Sequence, residues 1–527
     1  MAQLLHDLIF KAALRTPDAP ALRYQGVAMS YRVLAQLIGL ASRALPAQGL
    51  ARGERVAVYL EKREEAVLAM FGAAAAGVVF VPVNPLLKPD QVAYILADCN
   101  ARLLITSGQR HAQLAGALAR CPELHSVVLV DATDTAAAGA VRRLLRWSDF
   151  LDSGGPARAH RSIDTDMAAI LYTSGSTGMP KGVVLSHRNL VAGAHSVASY
   201  LNNSAADRLL CVLPFSFDYG LSQLSTAFDS GACAVLINYL LPRDIINTVE
   251  SEQISGLAAV PPLWMQLAQL SWPSACTLRY LSNSGGTLPR QTIAALRHAL
   301  PQTKIYLMYG LTEAFRSTYL APEQVDQRPD SIGKAIPNAE VLVLRADGSP
   351  CAPGEPGELV HRGALVAQGY WNDAQRTAER FRPLPGRAAG LPLAELAVWS
   401  GDTVRSDEEG YLYFIGRGDD MIKTSGYRVS PGEVEQIAYA SGLVAEAAAI
   451  GIPHPRLGQA IVMLVKANEG QALDAAQMLA ACQAALPMYM VPAWIDVRQQ
   501  ALPRNPNGKI DRRLLADELR HLFAEAS

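Results

Sequence analysis

The chain has 527 residues, half of them hydrophobic and 18% charged, with 47 basic against 48 acidic side chains. That length exceeds one ordinary core, so at least two domains are expected. A formal net charge of −1 excludes a global field that would gather nucleic acid or hold the chain to an anionic membrane. Seven scattered cysteines form no Cys-x-x-Cys pair and no zinc-ligand spacing, which points to buried thiols in a reducing, cytoplasmic setting.

From the start of the chain, Leu4, Leu5, Leu8 and Ile9 are spaced as one face of an amphipathic helix, without the basic n-region of a signal peptide. Apolar runs at 55–59, 78–83, 101–106, 126–130, 167–172, 208–213 and 232–237 predict buried strands. Helical patterns at 31–45, 62–76, 88–97 and 188–201 lie between many of them. Strand–helix alternation predicts an α/β fold with a large N-terminal domain of parallel-rich sheets flanked by helices. Residues 66–83 carry no charge over a length near the transmembrane threshold. Gly72, Gly77 and Pro82 interrupt that stretch, so it reads as a buried helix feeding a buried strand, with no stable membrane insertion. Residues 131–140 and 383–392 have the composition of surface insertions.

Past about residue 330, short runs at 340–344, 357–361 and 411–415, split by Gly and Pro, predict a small β-rich subdomain. Beyond Arg417, helical patterns at 431–440 and 474–485 and strands at 445–450, 460–466 and 495–498 predict a small α+β domain. The expected division is therefore 1–417 and 418–527.

The stretch richest in chemistry follows the apolar run at 167–172. Thr173, Ser174, Gly175, Ser176, Thr177 and Gly178 form a loop of hydroxyls and glycines, with Pro180 and Lys181 after it. Glycines let backbone N–H groups turn inward as an anion nest, hydroxyls add donors, and Lys181 adds a positive charge. Such a loop suits a polyphosphate. No Gly-Lys-Ser/Thr closes it, so it is not a Walker A loop. An ordinary hairpin turn needs far fewer residues.

Together with Tyr309-Gly310-Leu311-Thr312-Glu313, Ser400-Gly401-Asp402, Gly416-Arg417-Gly418-Asp419, Lys423-Thr424-Ser425-Gly426-Tyr427-Arg428 and Asn505-Pro506-Asn507-Gly508-Lys509-Ile510-Asp511, that loop resembles the ordered motifs of adenylate-forming enzymes. That superfamily comprises acyl-CoA synthetases, adenylation domains and luciferases. Val81-Pro82-Val83-Asn84-Pro85, Phe315-Arg316-Ser317-Thr318-Tyr319 and Met421-Ile422-Lys423 further resemble AMP-forming acyl-CoA ligases associated with exosortase A systems.

The resemblance implies activation of a carboxylic acid by ATP with Mg²⁺, then transfer of the acyl group to CoA or to a carrier-protein phosphopantetheine. It implies that residues 173–178 and Lys181 hold the β- and γ-phosphates, that Thr312 touches the α-phosphate, and that Glu313 holds Mg²⁺. Tyr309 would pack on adenine. Asp402 would bind the ribose diol, with Ser400 standing where the family usually has Thr, and Arg417 would reach ribose or phosphate. Lys509 matches the mobile catalytic lysine and Asp419 the hinge about which the small domain rotates. After rotation, the face bearing Lys423–Arg428 closes the site, and Gly426 leaves room for the pantetheine arm. Competing structural readings are a helix N-cap for Thr312 and Glu313, an ion pair for Arg417 and a simple turn at 418–420. No fused carrier domain is expected.

For the acid, Asp218 falls where amino-acid-activating relatives pair the substrate ammonium; helix capping is the alternative. Arg316 falls near the acyl pocket, where a guanidinium would favour a second carboxylate; an ion pair is the alternative. Ala259, Ser282, Ser284 and Met308 would be further walls. The expected substrate is a small, polar carboxylic acid that could carry an amino group. The alternatives are a freestanding aminoacyl adenylation enzyme that loads a carrier protein and, more remotely, a non-catalytic nucleotide-binding relative.

Overall fold

Three sheets organise the computed structural model, which describes residues 2–131, 143–155, 162–173, 179–384, 394–417, 421–468, 471, 473–504 and 510–524. Strand Val79–Pro82, the second half of the charge-free segment, lies between Arg55–Tyr59 and Met167–Thr173 in a sheet of eight strands among the described residues. Both pairings are parallel. Parallel strands covered on both faces need continuous apolar sequence, which is what this run supplies.

The first half is helix Glu64–Ala76, buried from Ala66 to Ala74. Its small residues let it lie directly on helix Tyr31–Ala47: a Cβ on Gly72 would stand 2.7 Å from the Cβ of Ala41. Among the described residues no helix is long and apolar enough to cross a membrane.

The second sheet has fourteen strands among the described residues and explains the change in sequence character near residue 330. One half holds the parallel strands Cys233–Leu236, Arg208–Cys211, Gly256–Ala259, Tyr280–Asn283 and Lys304–Tyr309. From Thr318–Leu320 onward the pairing turns antiparallel and runs through Ser331–Ala335, Leu412–Arg417, Leu396–Ser406, Gly357–Gly363 and Ala339–Leu344. The predicted β-rich region is thus continuous with the parallel half. The third sheet is built from Ile422–Thr424, Tyr427–Val429, Val444–His454, Gly458–Ala467 and Trp494–Arg498. Helices Pro431–Ala440 and Ala475–Ala485 cover it over a core of Val434, Ala438, Met478 and Cys482.

Most expected strands and helices appear within a few residues of their predicted bounds. The strand expected at 208–213 ends early, at Cys211. Its last residues leave the sheet and enter the loop that carries Phe217 and Asp218. Most of the two expected surface insertions, residues 132–140 and 385–392, lies outside the described residues.

Candidate active site

Loops leaving the carboxyl ends of three parallel strands line one cavity. Ser216, Phe217 and Asp218 follow strand Arg208–Cys211, Ser284 follows Tyr280–Asn283, and Gly310, Leu311, Thr312 and Arg316 follow Lys304–Tyr309. Ligands of open α/β sheets bind outside the carboxyl ends of strands, where loop backbone diverges and leaves a crevice. Thr173, the last residue of strand Met167–Thr173 in the other sheet, and Asp402 reach the same cavity.

Thr312 and Glu313 lie in a three-residue turn of 3₁₀-helix, Thr312–Ala314, whose cap position is Leu311 and carries no side-chain cap bond. The N-cap reading of the pair is not what the structure shows. Glu313 is buried, and Lys181 Nζ donates to its Oε1 at 2.8 Å while the Tyr370 hydroxyl donates to the same oxygen at 2.6 Å. Lys181 Nζ also donates to the Tyr370 oxygen at 2.7 Å. Burial alone would raise the Glu313 carboxyl; the positive charges of Lys181 and Arg428, with these hydrogen bonds, overcome it and hold the group well below the usual carboxylate range. Burial pushes Lys181 down, and Glu313 opposes the shift. Lys181 therefore serves Glu313 within the protein itself, a partnership the loop motif did not suggest.

Both bonds to Glu313 use Oε1, which leaves Oε2 for a cation. Among the described residues no group of three or more His, Cys, Asp or Glu side chains could hold a metal alone. One ionised buried carboxylate suits Mg²⁺, which keeps several waters and takes much of its shell from substrate phosphates.

The Tyr309 hydroxyl donates to Asp402 Oδ2. Asp402 is placed by its backbone N–H, which donates to Ser400 Oγ at 3.1 Å, while Ser400 Oγ donates to the Leu359 carbonyl at 2.6 Å. The serine in the usual threonine position keeps the hydroxyl that this clamp needs. Behind Tyr309, the ring of His361 stacks with a centroid separation of 6.1 Å, and burial pushes that imidazole down to about 3, so it is neutral. Arg417 pairs with Asp402 across the strands Leu396–Ser406 and Leu412–Arg417.

Asp218 and Arg316 both line the cavity and both are buried. Asp218 is the first residue of helix Asp218–Ser230, whose cap position is Phe217. Burial raises its carboxyl, and Arg316 together with the Tyr219 backbone N–H pulls it back only in part. The Arg316 guanidinium lies 4.2 Å from the centroid of the Tyr219 ring, whose hydroxyl is 2.7 Å from Ser282 Oγ. Ser284 and Met308 line the cavity. Ala259 does not: it is fully buried, and its carbonyl accepts from Trp264 Nε1 at 3.1 Å. The neighbouring Ala258 points the other way along the strand and lines a smaller cavity with Ser282, Met308 and Arg316.

The third sheet brings a hairpin to the cavity mouth. Strands Ile422–Thr424 and Tyr427–Val429 are joined by Ser425 and Gly426, with φ of 51° and 83°. Two residues with positive φ are the requirement of a type I′ hairpin turn. A Cβ on Gly426 would stand 2.6 Å from Cγ2 of Val260, which follows strand Gly256–Ala259. Lys423, Tyr427 and Arg428 also line the cavity, and Tyr427 stacks on Tyr489 at 3.8 Å between centroids.

Ser174, Gly175, Ser176, Thr177, Gly178, Asp419 and Lys509, and the side chain of Arg417, lie outside the described residues. Sequence reasoning missed Tyr370, Tyr219 and Val260. Tyr370 sits in a two-residue strand, Gly369–Tyr370, paired with Lys181–Ser186, and nothing local marks it; only the pairing reveals it. Tyr219 follows Asp218 directly and could have been read with it.

Residues 9–371 match a family model described as AMP-binding enzyme, and residues 433–509 match its C-terminal domain. The chain is 33% identical to an L-proline--[L-prolyl-carrier protein] ligase of Pseudomonas fluorescens, covering 98% of this chain and 99% of that protein. It is 31% identical over 97% of its length to a linear gramicidin synthase of Brevibacillus parabrevis, a far longer protein of which this chain spans 6%. An amide bond synthetase from Marinactinospora thermotolerans superposes with a TM-score of 0.84 at 23% identity, covering 98% of this chain and 99% of that one, which shows the shared fold.

Proposed function

The chain belongs to the AMP-binding enzyme family, and on that premise we propose that it is an AMP-forming acid–thiol ligase. A carboxylate resists thiol attack because its leaving group would be oxide. Attack of a carboxylate oxygen on the α-phosphorus of ATP forms an acyl-adenylate and releases pyrophosphate; a thiolate then forms the thioester and AMP leaves. The first step gathers negative charge around the phosphates, so its catalyst is mainly a set of cations and donors held in place.

The observation that carries this reading is that Thr173, Asp218, Thr312, Arg316, Asp402 and Gly426, from five separate segments, line one cavity. In the proposed roles Thr312, Lys181 and residues 173–178 attend the phosphates. Glu313 meets Mg²⁺, which would neutralise phosphate charge, while Tyr309, Asp402 and Arg417 hold adenosine. Lys509, Lys423 and Gly426 belong to a C-terminal domain, 418–527, that rotates about Asp419. The hairpin at Gly426 already faces Val260, which supports reading this arrangement as the one for thioester formation. Small polar walls support a small, polar acid. A reducing, cytoplasmic location is part of the same proposal.

CoA and a carrier-protein phosphopantetheine present the same arm. The end-to-end likeness to a prolyl-carrier ligase supports testing the carrier protein alongside CoA. The test is intact-mass detection of thioester on CoA and on a phosphopantetheinylated carrier, with ATP, Mg²⁺ and pooled acids. A product that vanishes with Lys509→Ala supports the reading. No product on either acceptor, with ATP consumption at background, overturns it in favour of nucleotide binding without catalysis.

A further inference from the structure

The acyl end of the cavity contains an electrostatic arrangement that the ligase chemistry does not itself require. Arg316 is 2% exposed, and its Nε and Nη2 have no hydrogen-bond partner. Its remaining polar contact, Nη1 to Ser284 Oγ at 3.5 Å, is at the outer limit of a hydrogen bond. Asp218 is 5% exposed on the same cavity and is close enough for the guanidinium to bias its ionisation. Among the described residues, however, neither group has an ion-pair partner, and they do not pair with each other. Two oppositely charging groups buried near one another without an ion pair form a costly arrangement: the backbone N–H beside Asp218 and the long bond from Arg316 to Ser284 replace the lost water only in part, and two guanidinium nitrogens have no partner. Such a site is complete when a molecule enters between the charges.

Resting on the ligase reading, we infer that the acid activated here is an amino dicarboxylic acid: its ammonium meets Asp218, its second carboxylate meets Arg316 and Ser284, and its first carboxylate is adenylated. The guanidinium fork matches a carboxylate in two-point geometry, and Ser284 Oγ offers a further donor. The Tyr219 ring lies against the Arg316 guanidinium, and the Tyr219 hydroxyl is tied to Ser282. Arg316 does not serve the reacting carboxylate in this scheme. That end of the cavity is marked by Thr312, whereas Arg316 also lines the smaller cavity with Ala258, Ser282 and Met308. In that smaller cavity Gln223 Oε1 and Thr226 Oγ1 also lack partners, so a water there can occupy one edge of the guanidinium while the other edge takes the ligand.

The test is acid-dependent ATP–pyrophosphate exchange with four acids on one four-carbon frame. Butyrate has neither group, 3-aminobutyrate only the ammonium, succinate only the second carboxylate, and aspartate both; five- and six-carbon homologues extend each class. The inference expects kcat/KM for the best amino diacid to exceed every partner lacking one group by about 100-fold or more. Arg316→Met should erase the preference for the second carboxylate while leaving the preference for the amino group, and Asp218→Asn should do the converse. Arg316→Lys, which keeps the charge and perturbs packing least, should retain part of the preference if Arg316→Met folds poorly. An amino monoacid or an alkyl acid as good as the amino diacid overturns the inference and leaves the ligase standing. No exchange with any acid overturns the ligase reading itself.

Discussion

Gly426→Ala separates two energetic terms that the structure puts at one position. A non-glycine residue at φ +83° costs about 1–2 kcal/mol, and that cost is present wherever the hairpin is folded. It therefore lowers the stability of the third sheet without favouring one placement of it over another. The second term arises only when the hairpin faces the cavity. The added methyl would stand 2.6 Å from Cγ2, 3.0 Å from Cβ and 3.1 Å from Cγ1 of Val260. Valine has little freedom to turn away. Overpacking of this kind costs roughly 1–3 kcal/mol, which would reduce the docked population by about 5- to 150-fold. Single-turnover thioester formation from preformed acyl-adenylate should slow by a factor in that range, while ATP–pyrophosphate exchange stays near wild type. Val260→Ala in the Gly426→Ala background removes both methyl groups and should restore much of the second half-reaction but none of the lost melting temperature. Equal slowing of both half-reactions, or no recovery in the double variant, would refute the reasoning.

Tyr370→Phe removes one of two hydrogen bonds to the ionised Glu313 carboxylate, and bonds to charged groups are worth about 1.5–3 kcal/mol; steady-state exchange should fall by about 10- to 150-fold with KM for the acid little changed. Because the folded pKa of Glu313 is depressed, its contribution to stability is fully present above pH 4.5 and is lost as pH falls toward the folded pKa. Melting temperature followed below pH 4.5 should therefore drop more steeply in wild type than in Glu313→Gln, and parallel curves would show that the carboxylate is not held as described. Lys509→Ala should abolish exchange yet leave thioester formation from supplied acyl-adenylate largely intact; loss of both would place Lys509 in a different role.

Local pattern revealed the elements whose burial is uniform. Strands such as Arg55–Tyr59 and Ala101–Thr106 coincide with their apolar runs, because continuous apolar sequence has no other stable placement, and helix Pro431–Ala440, buried along one side, has the bounds its helical pattern predicts. Motif order likewise marked Asp218, Thr312, Arg316 and Asp402, which the fold brings to one cavity, and Glu313, which it buries against Lys181 and Tyr370. What local pattern cannot encode is a partner distant in sequence. Tyr370 reaches Glu313 only because a two-residue strand pairs with Lys181–Ser186, and the loop motif assigned Lys181 to phosphate without showing its second partner. Ala259 failed for a different reason: alternation along a short strand turns its neighbour Ala258 toward the smaller cavity, and a one-residue shift reverses inside and outside.

The turn from Thr312 to Arg316 joins two tasks that could have been built apart. Phe315, between Glu313 and Arg316, holds φ at 51°, and its ring fills the space where any side chain on Gly193 would stand. Helix His187–Tyr200 thereby grips the turn from outside the cavity. The consequence is evolutionary. Glu313 is fixed by Lys181 and Tyr370 on one side of that anchor, so residue 316 on the other side can drift with residues 218 and 284 without moving the carboxylate. A lineage carrying this turn can explore new acids by changing a few wall residues, while the anchor preserves the part of the site every acid needs.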